Sequence, residues 1–127
     1  MLDYISVFSR AIGLARHAGA RQGLATTNIA NADTPGYRAK DIPDFSVDQA
    51  AATQPPRATR PGHVSTGFET TYRARAVATE AENPNGNTVS LEEEMVRSAE
   101  AEHKHDLAMT VYTKSLDLLR MSLGGRR

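Results

Sequence analysis

The chain has 127 residues, with 15 Lys and Arg against 15 Asp and Glu; it is 39% hydrophobic but only 6% aromatic, and it contains neither Trp nor Cys. That length bounds it to one domain, and so few large rings supply little for a thick globular core. Zero net charge offers no cationic field for nucleic acid or an anionic membrane, and the absence of Cys excludes disulfides, thiolate metal sites and Cys nucleophiles.

From Met1 to Gly19 the chain has neither the basic region nor the continuous apolar run of a cleavable signal, and nothing reaches the roughly 18 apolar residues that cross a bilayer. All six prolines lie between Pro35 and Pro84. Because proline ends helices, the expected plan is mainly α. It comprises an N-terminal helical arm over 1–31, an irregular segment over 32–89, an amphipathic helix over 90–123 and a basic tail over 124–127.

In the first arm Ile5, Phe8, Ile12, Ala15, Gly19, Gln22, Thr26 and Ile29 recur at alternating spacings of three and four, widened by Leu2, Leu14, Ala18, Leu24 and Ala25. This predicts a packing stripe. Gly13, Gly19 and Gly23 each cost roughly 1 kcal/mol relative to Ala inside a helix, so the arm is expected to need a partner surface to order it. At its exit, Asn31 fits a left-handed C-terminal position, Asp33 or Thr34 fits an Asx or ST turn, and Pro35-Gly36 fits a type II turn with Gly36 at positive φ.

Beyond the turn, Gln54 to Gly62 reads as an exposed loop, and the alternating stretch Val64 to Tyr72 as at most a short β-hairpin. The last arm opens on the turn signal Asn83-Pro84-Asn85-Gly86. Ser90 follows as N-cap with Glu93 at the third helical position, a capping box. Met109, Tyr112, Leu116, Leu119 and Leu123 form its stripe, flanked by Ala108, Val111 and Leu118. Glu92, Glu93 and Glu94 suit a helix N-terminus, and Glu93/Arg97 and Glu100/Lys104 have ion-pair spacing. The two arms, about 42 and 50 Å long at 1.5 Å per residue, match well enough to pair along their length.

The string Asn28-Ile29-Ala30-Asn31-Ala32-Asp33-Thr34-Pro35-Gly36-Tyr37 resembles the N-I-A-N-x-x-T-P-G-Y/F signature of the flagellar basal-body rod and hook proteins. The short chain and the Arg38-Ala39-Lys40-Asp41-Ile42 continuation resemble the proximal-rod members. Asn85-Gly86-Asn87-Thr88-Val89 is similar to their D-G-N-T-V lead-in to the C-terminal helix, with Asn85 in the place of Asp. Thr59 to Val64, with His63, is loosely similar to a further family stretch. The resemblance implies a structural subunit of the bacterial flagellum, needed for motility, whose terminal helices pair as an antiparallel coiled coil and whose copies stack into a rod crossing the periplasm. It implies as partners other copies of the chain, neighbouring rod and base-adaptor proteins, and the flagellar type III export apparatus. It also attaches an F-x-x-x-apolar export motif, for which Phe8 with Ile12, or Phe45 with Gln49 in the apolar place, are the candidates.

No catalytic or metal-binding set stands out, and no cofactor is expected. His103 and His105 diverge around a helix, and His17 and His63 lack a ligand-spaced companion. Glu92, Glu93 and Glu94 are ordinary first-turn acids rather than a catalytic pair. A small helical export adaptor or chaperone is the alternative function, and a hydrolase using the histidine-acidic helix face is a more distant third.

Overall fold

The computed structural model describes residues 2–46, 72–77 and 83–124, and side chains from Ser6 onward. The expected loop Gln54 to Gly62, the stretch Thr59 to Val64, the alternating run to Thr71, the Ile5 side chain and the tail after Gly124 lie outside the described residues. Four elements follow in chain order: α1 (Leu2–Ala30), β1 (Lys40–Asp41), β2 (Arg75–Ala76) and α2 (Leu91–Gly124). Both helices run without proline, and α1 and α2 pack against each other along their length. They are antiparallel: Asn28 near the end of α1 meets Glu94 near the start of α2, and at the opposite end the Phe8 and Tyr112 rings meet edge to face at 4.8 Å.

Small residues fill the seam. Ala11, Ala18 and Ala25 on α1, and Glu94, Ala101, Ala108 and Ser115 on α2, are buried and recur every seven residues, the repeat of a coiled coil. Alanine at these positions lets the helix axes approach closely. Ile12, Met109 and Leu116 of the expected stripes each stand one position after a seam residue; Ile12 is 37% exposed and Met109 45%, and Leu123 near the end of α2 is 79% exposed. Phe8, Tyr112, Leu116 and Leu119 are half-buried. Periodicity therefore finds the heptad but misplaces its centre, because apolar weight follows the large side chains while the seam, Glu94 apart, holds Ala and Ser. The surface on which the glycine-bearing α1 packs is α2 of the same chain.

A two-stranded antiparallel sheet closes the turn end, pairing Lys40 with Ala76 and Asp41 with Arg75. It is a long-range pairing of the chain leaving α1 with the chain returning toward α2, rather than a local hairpin. Among the described residues no helix is long and apolar enough to cross a membrane.

Candidate functional site

The signature string and the lead-in to α2 are far apart in sequence and meet at one place. After Ala30 the helix tightens: the Asn31 N–H donates to the Asn28 carbonyl (3.0 Å) and to that of Thr27 (3.2 Å), and Asn31 Nδ2 donates to the Thr27 oxygen at 2.8 Å. Asn31 thus terminates the helix with its amide and not by a left-handed backbone, since Gly36 (φ 71°) and Gly86 (φ 77°) alone have positive φ among the described residues. Thr34, Pro35, Gly36 and Tyr37 make a type II turn closed by the Tyr37 N–H donating to the Thr34 carbonyl at 3.2 Å. A side chain added at Gly36 would meet no atom within 4 Å, so the demand there is on the backbone alone. Gly36→Ala should lower stability by about 1 kcal/mol and Gly36→Val by more, with Gly36→Asn mildest, since Asn tolerates the left-handed region best. Chemical denaturation of the three variants checks that order.

Asn28, with 0% exposure, is the centre of the site. Its Nδ2 donates to the Lys40 carbonyl (2.8 Å) and to Glu94 Oε2 (3.0 Å), while its Oδ1 accepts from the Lys40 N–H (3.1 Å) and the Tyr37 hydroxyl (3.2 Å). All four capacities of the amide are used. One side chain thereby imitates a strand beside Lys40, fixes the signature tyrosine and ties α1 to α2. Glu94 is 1% exposed, and its other oxygen accepts from Arg97 Nη1 at 2.6 Å, which compensates the buried charge. Asn87, also 0% exposed, holds the turn after α1 from the other side. Its Nδ2 lies within 2.9 Å of the carbonyl oxygens of Asn31, Ala32 and Thr34, and its Oδ1 accepts from the Val89 N–H at 2.7 Å. Thr88 Oγ1 accepts from the Ala39 N–H (2.9 Å), the Thr88 N–H donates to the Tyr37 carbonyl (3.1 Å), and the Gly36 N–H donates to the Asn85 carbonyl (3.0 Å). Carbonyls at a helix C-terminus need partners: those of Thr27, Asn28 and Ile29 are met locally by Asn31 and by the Ala32 N–H, and the C-terminal block supplies partners for the turn that follows.

The chain leaving this turn is held to α1 at two further points. Arg21 grips Asp41 through two bonds (Nε to Oδ1 at 3.1 Å, Nη2 to Oδ2 at 2.8 Å) and reaches Asp44 at 2.7 Å. The Asp41 bond is the main reason the Arg21 pKa is raised. Partial burial pushes the Asp41 carboxyl up, but the Arg21 bond, the Ile42 N–H and the charges of Arg21 and Arg97 outweigh it and hold the pKa below the ordinary value. A depressed folded-state pKa contributes stability above the unfolded-state value and loses it as pH falls through the folded one. Asp41→Asn should therefore cost about 1 kcal/mol at neutral pH and flatten the acid limb of stability below about pH 4, as read by denaturation at stepped pH.

One turn earlier, the buried His17 Nε2 lies 2.7 Å from the Pro43 carbonyl, and its ring meets those of Phe45 (5.7 Å) and Tyr72 (5.1 Å) edge-on. Burial also pushes the Tyr72 hydroxyl pKa up, and that hydroxyl donates to the Gly13 carbonyl at 3.3 Å. A carbonyl can only accept, so His17 donates from Nε2.

The structure thus brings Asn28, Asn31, Thr34, Pro35, Gly36 and Tyr37 together, with Ile29 half-buried beside them and Ala30 exposed at the helix end. Ser90 caps α2 by accepting from the Glu93 N–H at 3.4 Å, while the Glu93 carboxylate turns to Arg97 at 3.4 Å. Lys104, spaced to pair with Glu100, stands 3.8 Å from Asp44. Phe8 and Phe45, the export-motif candidates, lie on Tyr112 and His17, and Ile12 is on the outer side of the seam. Arg21 was not singled out by sequence reasoning, and Asn87, Thr88 and Glu94 were named only as a lead-in and a first turn, not as partners of the signature turn. Asn87 and Thr88 stood within the lead-in block, but spacing gives no sign that an amide there holds a turn more than fifty positions upstream.

No protein-family model matches the chain. Among curated proteins it is 37% identical over 111 residues to flagellar basal body rod protein FlgB of Agrobacterium fabrum, covering 81% of each chain. It is 30% identical to FlgB of Cereibacter sphaeroides over 127 residues, 97% of this chain and 95% of that one. To FlgB of Salmonella typhimurium it is 32% identical over 108 residues, 76% of this chain and 77% of that one. These identities run over most of each chain, and the chain belongs to the flagellar basal-body rod proteins of the FlgB type.

Proposed function

We propose that the chain is a structural subunit of the proximal rod, and that copies of it and of neighbouring rod proteins join through the outer flanks of the helix pair. The observation that carries this is the apolar surface which the seam leaves outside. With Ala108 and Ser115 in the seam, helical periodicity sets Leu107, Val111 and Leu118 on one flank of α2 and Met109, Leu116 and Leu123 on the other. Leu118 is 50% exposed and Leu107 52%. Asp106, Thr110, Thr113, Asp117 and Arg120 occupy the side away from α1. A helix apolar on both flanks suits a subunit that takes a neighbour on each side.

The subunit reaches the periplasmic part of the basal body through the flagellar type III export apparatus. Phe8 and Phe45 are covered by Tyr112 and His17 once the chain folds, which suits motifs read in an unfolded chain. The role is structural, and His103, exposed on α2, takes no part in it. The test is genetic: a strain lacking the chain should be non-motile with basal bodies that end below the rod, and supplying the chain should restore both. Restored motility with His103→Ala is expected, whereas normal rods in the strain lacking the chain would contradict a rod subunit.

A further inference from the structure

The seam between the helices repeats too evenly to fix its own alignment. Ala11, Ala18 and Ala25 of α1 and Ala101, Ala108 and Ser115 of α2 are buried on a common seven-residue repeat, so sliding one helix by seven residues, about 10 Å at 1.5 Å per residue, still sets small side chains against small ones. The aromatic contact at the far end adds little discrimination. Leu119 stands seven residues after Tyr112 and would meet Phe8 after such a slip as another large apolar group.

Polar groups at the turn end break the repeat. Glu94 takes the seam position seven before Ala101, 1% exposed, and accepts from Asn28. Asn87 anchors the chain just ahead of α2 to the carbonyls of Asn31 and Ala32, directly after α1. A slip that brings Ala101 opposite Asn28 breaks both links and leaves the buried Asn28 amide without its carboxylate.

We propose that Asn28, Asn87 and Glu94 are positioning residues that set the register of the helix pair from one end, while the alanine seam supplies close packing without choosing an alignment. A single buried polar side chain plays this part in coiled coils: its need for a partner selects one register, at no gain or at some cost in stability. The register decides which residues of α1 and α2 lie level on the outer flanks. The inference does not depend on the rod reading, because it concerns the chain alone.

The absence of Cys makes the test direct. Thr26→Cys and Arg120→Cys, both at exposed positions, take spin labels near opposite ends of the pair. The doubly labelled chain, diluted into unlabelled chain, is measured by pulsed dipolar spectroscopy alongside circular dichroism. The parent and Glu94→Gln, which keeps an oxygen for the Asn28 amide, should each give one distance. The Asn87→Ala/Glu94→Ala chain, held helical by trimethylamine N-oxide where needed, should add a second distance about 10 Å shorter in at least roughly a tenth of the molecules. Only the parent distance at full helicity would overturn the proposal, with the seam then choosing its own register. Helicity lost beyond recovery by the osmolyte would overturn it too, since the three residues would then hold the helices together rather than align them.

Discussion

Asn28→Asp is expected to destabilise the chain by about 4 kcal/mol at neutral pH, the scale of an uncompensated buried charge, and to reverse the sign of its acid response. The parent amide donates to the Lys40 carbonyl and to Glu94 Oε2. A carboxylate in its place can donate to neither, and it stands about 3 Å from the Glu94 carboxylate at a site with 0–1% exposure. Two carboxylates that close cannot both ionise cheaply, so the pair should hold a shared proton with a raised pKa. A folded-state pKa above the unfolded one gives stability that is present below the unfolded value and lost as pH rises through the folded one. The gap between variant and parent should thus be smallest below about pH 4 and widen toward neutrality. Asn28→Ala, which removes the amide without adding charge, should cost about 2 kcal/mol with no such trend. Denaturation of the three chains at stepped pH reads both effects. A pH-independent loss in Asn28→Asp would mean that the Glu94 carboxylate does not face this position.

That experiment probes the part of the molecule that the sequence described best and explained least. Proline placement and helical periodicity marked out both helices, and Thr34-Pro35-Gly36-Tyr37 announced its turn, because helix ends and turns are local and carry local chemistry. The seam was one residue away from the stripe of large apolar side chains, since close packing selects alanine and hydrophobic weight does not reveal it. Asn31 suggested a left-handed cap, yet its amide bonds Thr27 instead, and the carbonyls downstream are covered by Asn87. That partnership joins positions more than fifty apart and leaves no trace in spacing. Asn28 and Glu94 likewise read as a signature asparagine and a first-turn acid until the fold places them in contact.

The second large effect concerns assembly rather than folding. Leu118→Asp should leave the isolated chain as helical as the parent, because Leu118 is 50% exposed beside the seam, but should abolish incorporation into rods by placing an unpaired charge in the interface between subunits. Ala101→Leu should do the reverse in cause: its site is 1% exposed, and an added isobutyl group would force the helices apart at a cost of about 1–3 kcal/mol. Loss of rods in that chain should come with loss of stability. Leu116 and Leu119, half-buried between seam and flank, should show both defects when replaced by Asp.

Fractionation of intact basal bodies from cells expressing the parent or Leu118→Asp, with equal amounts of exported chain confirmed first, tests the rod assignment most directly. The parent should co-purify with the rod, and Leu118→Asp should be exported yet absent from it. Recovery of the parent only as a soluble cytoplasmic species, or undiminished incorporation of Leu118→Asp, would contradict a rod subunit that joins its neighbours through the outer flanks of its helix pair.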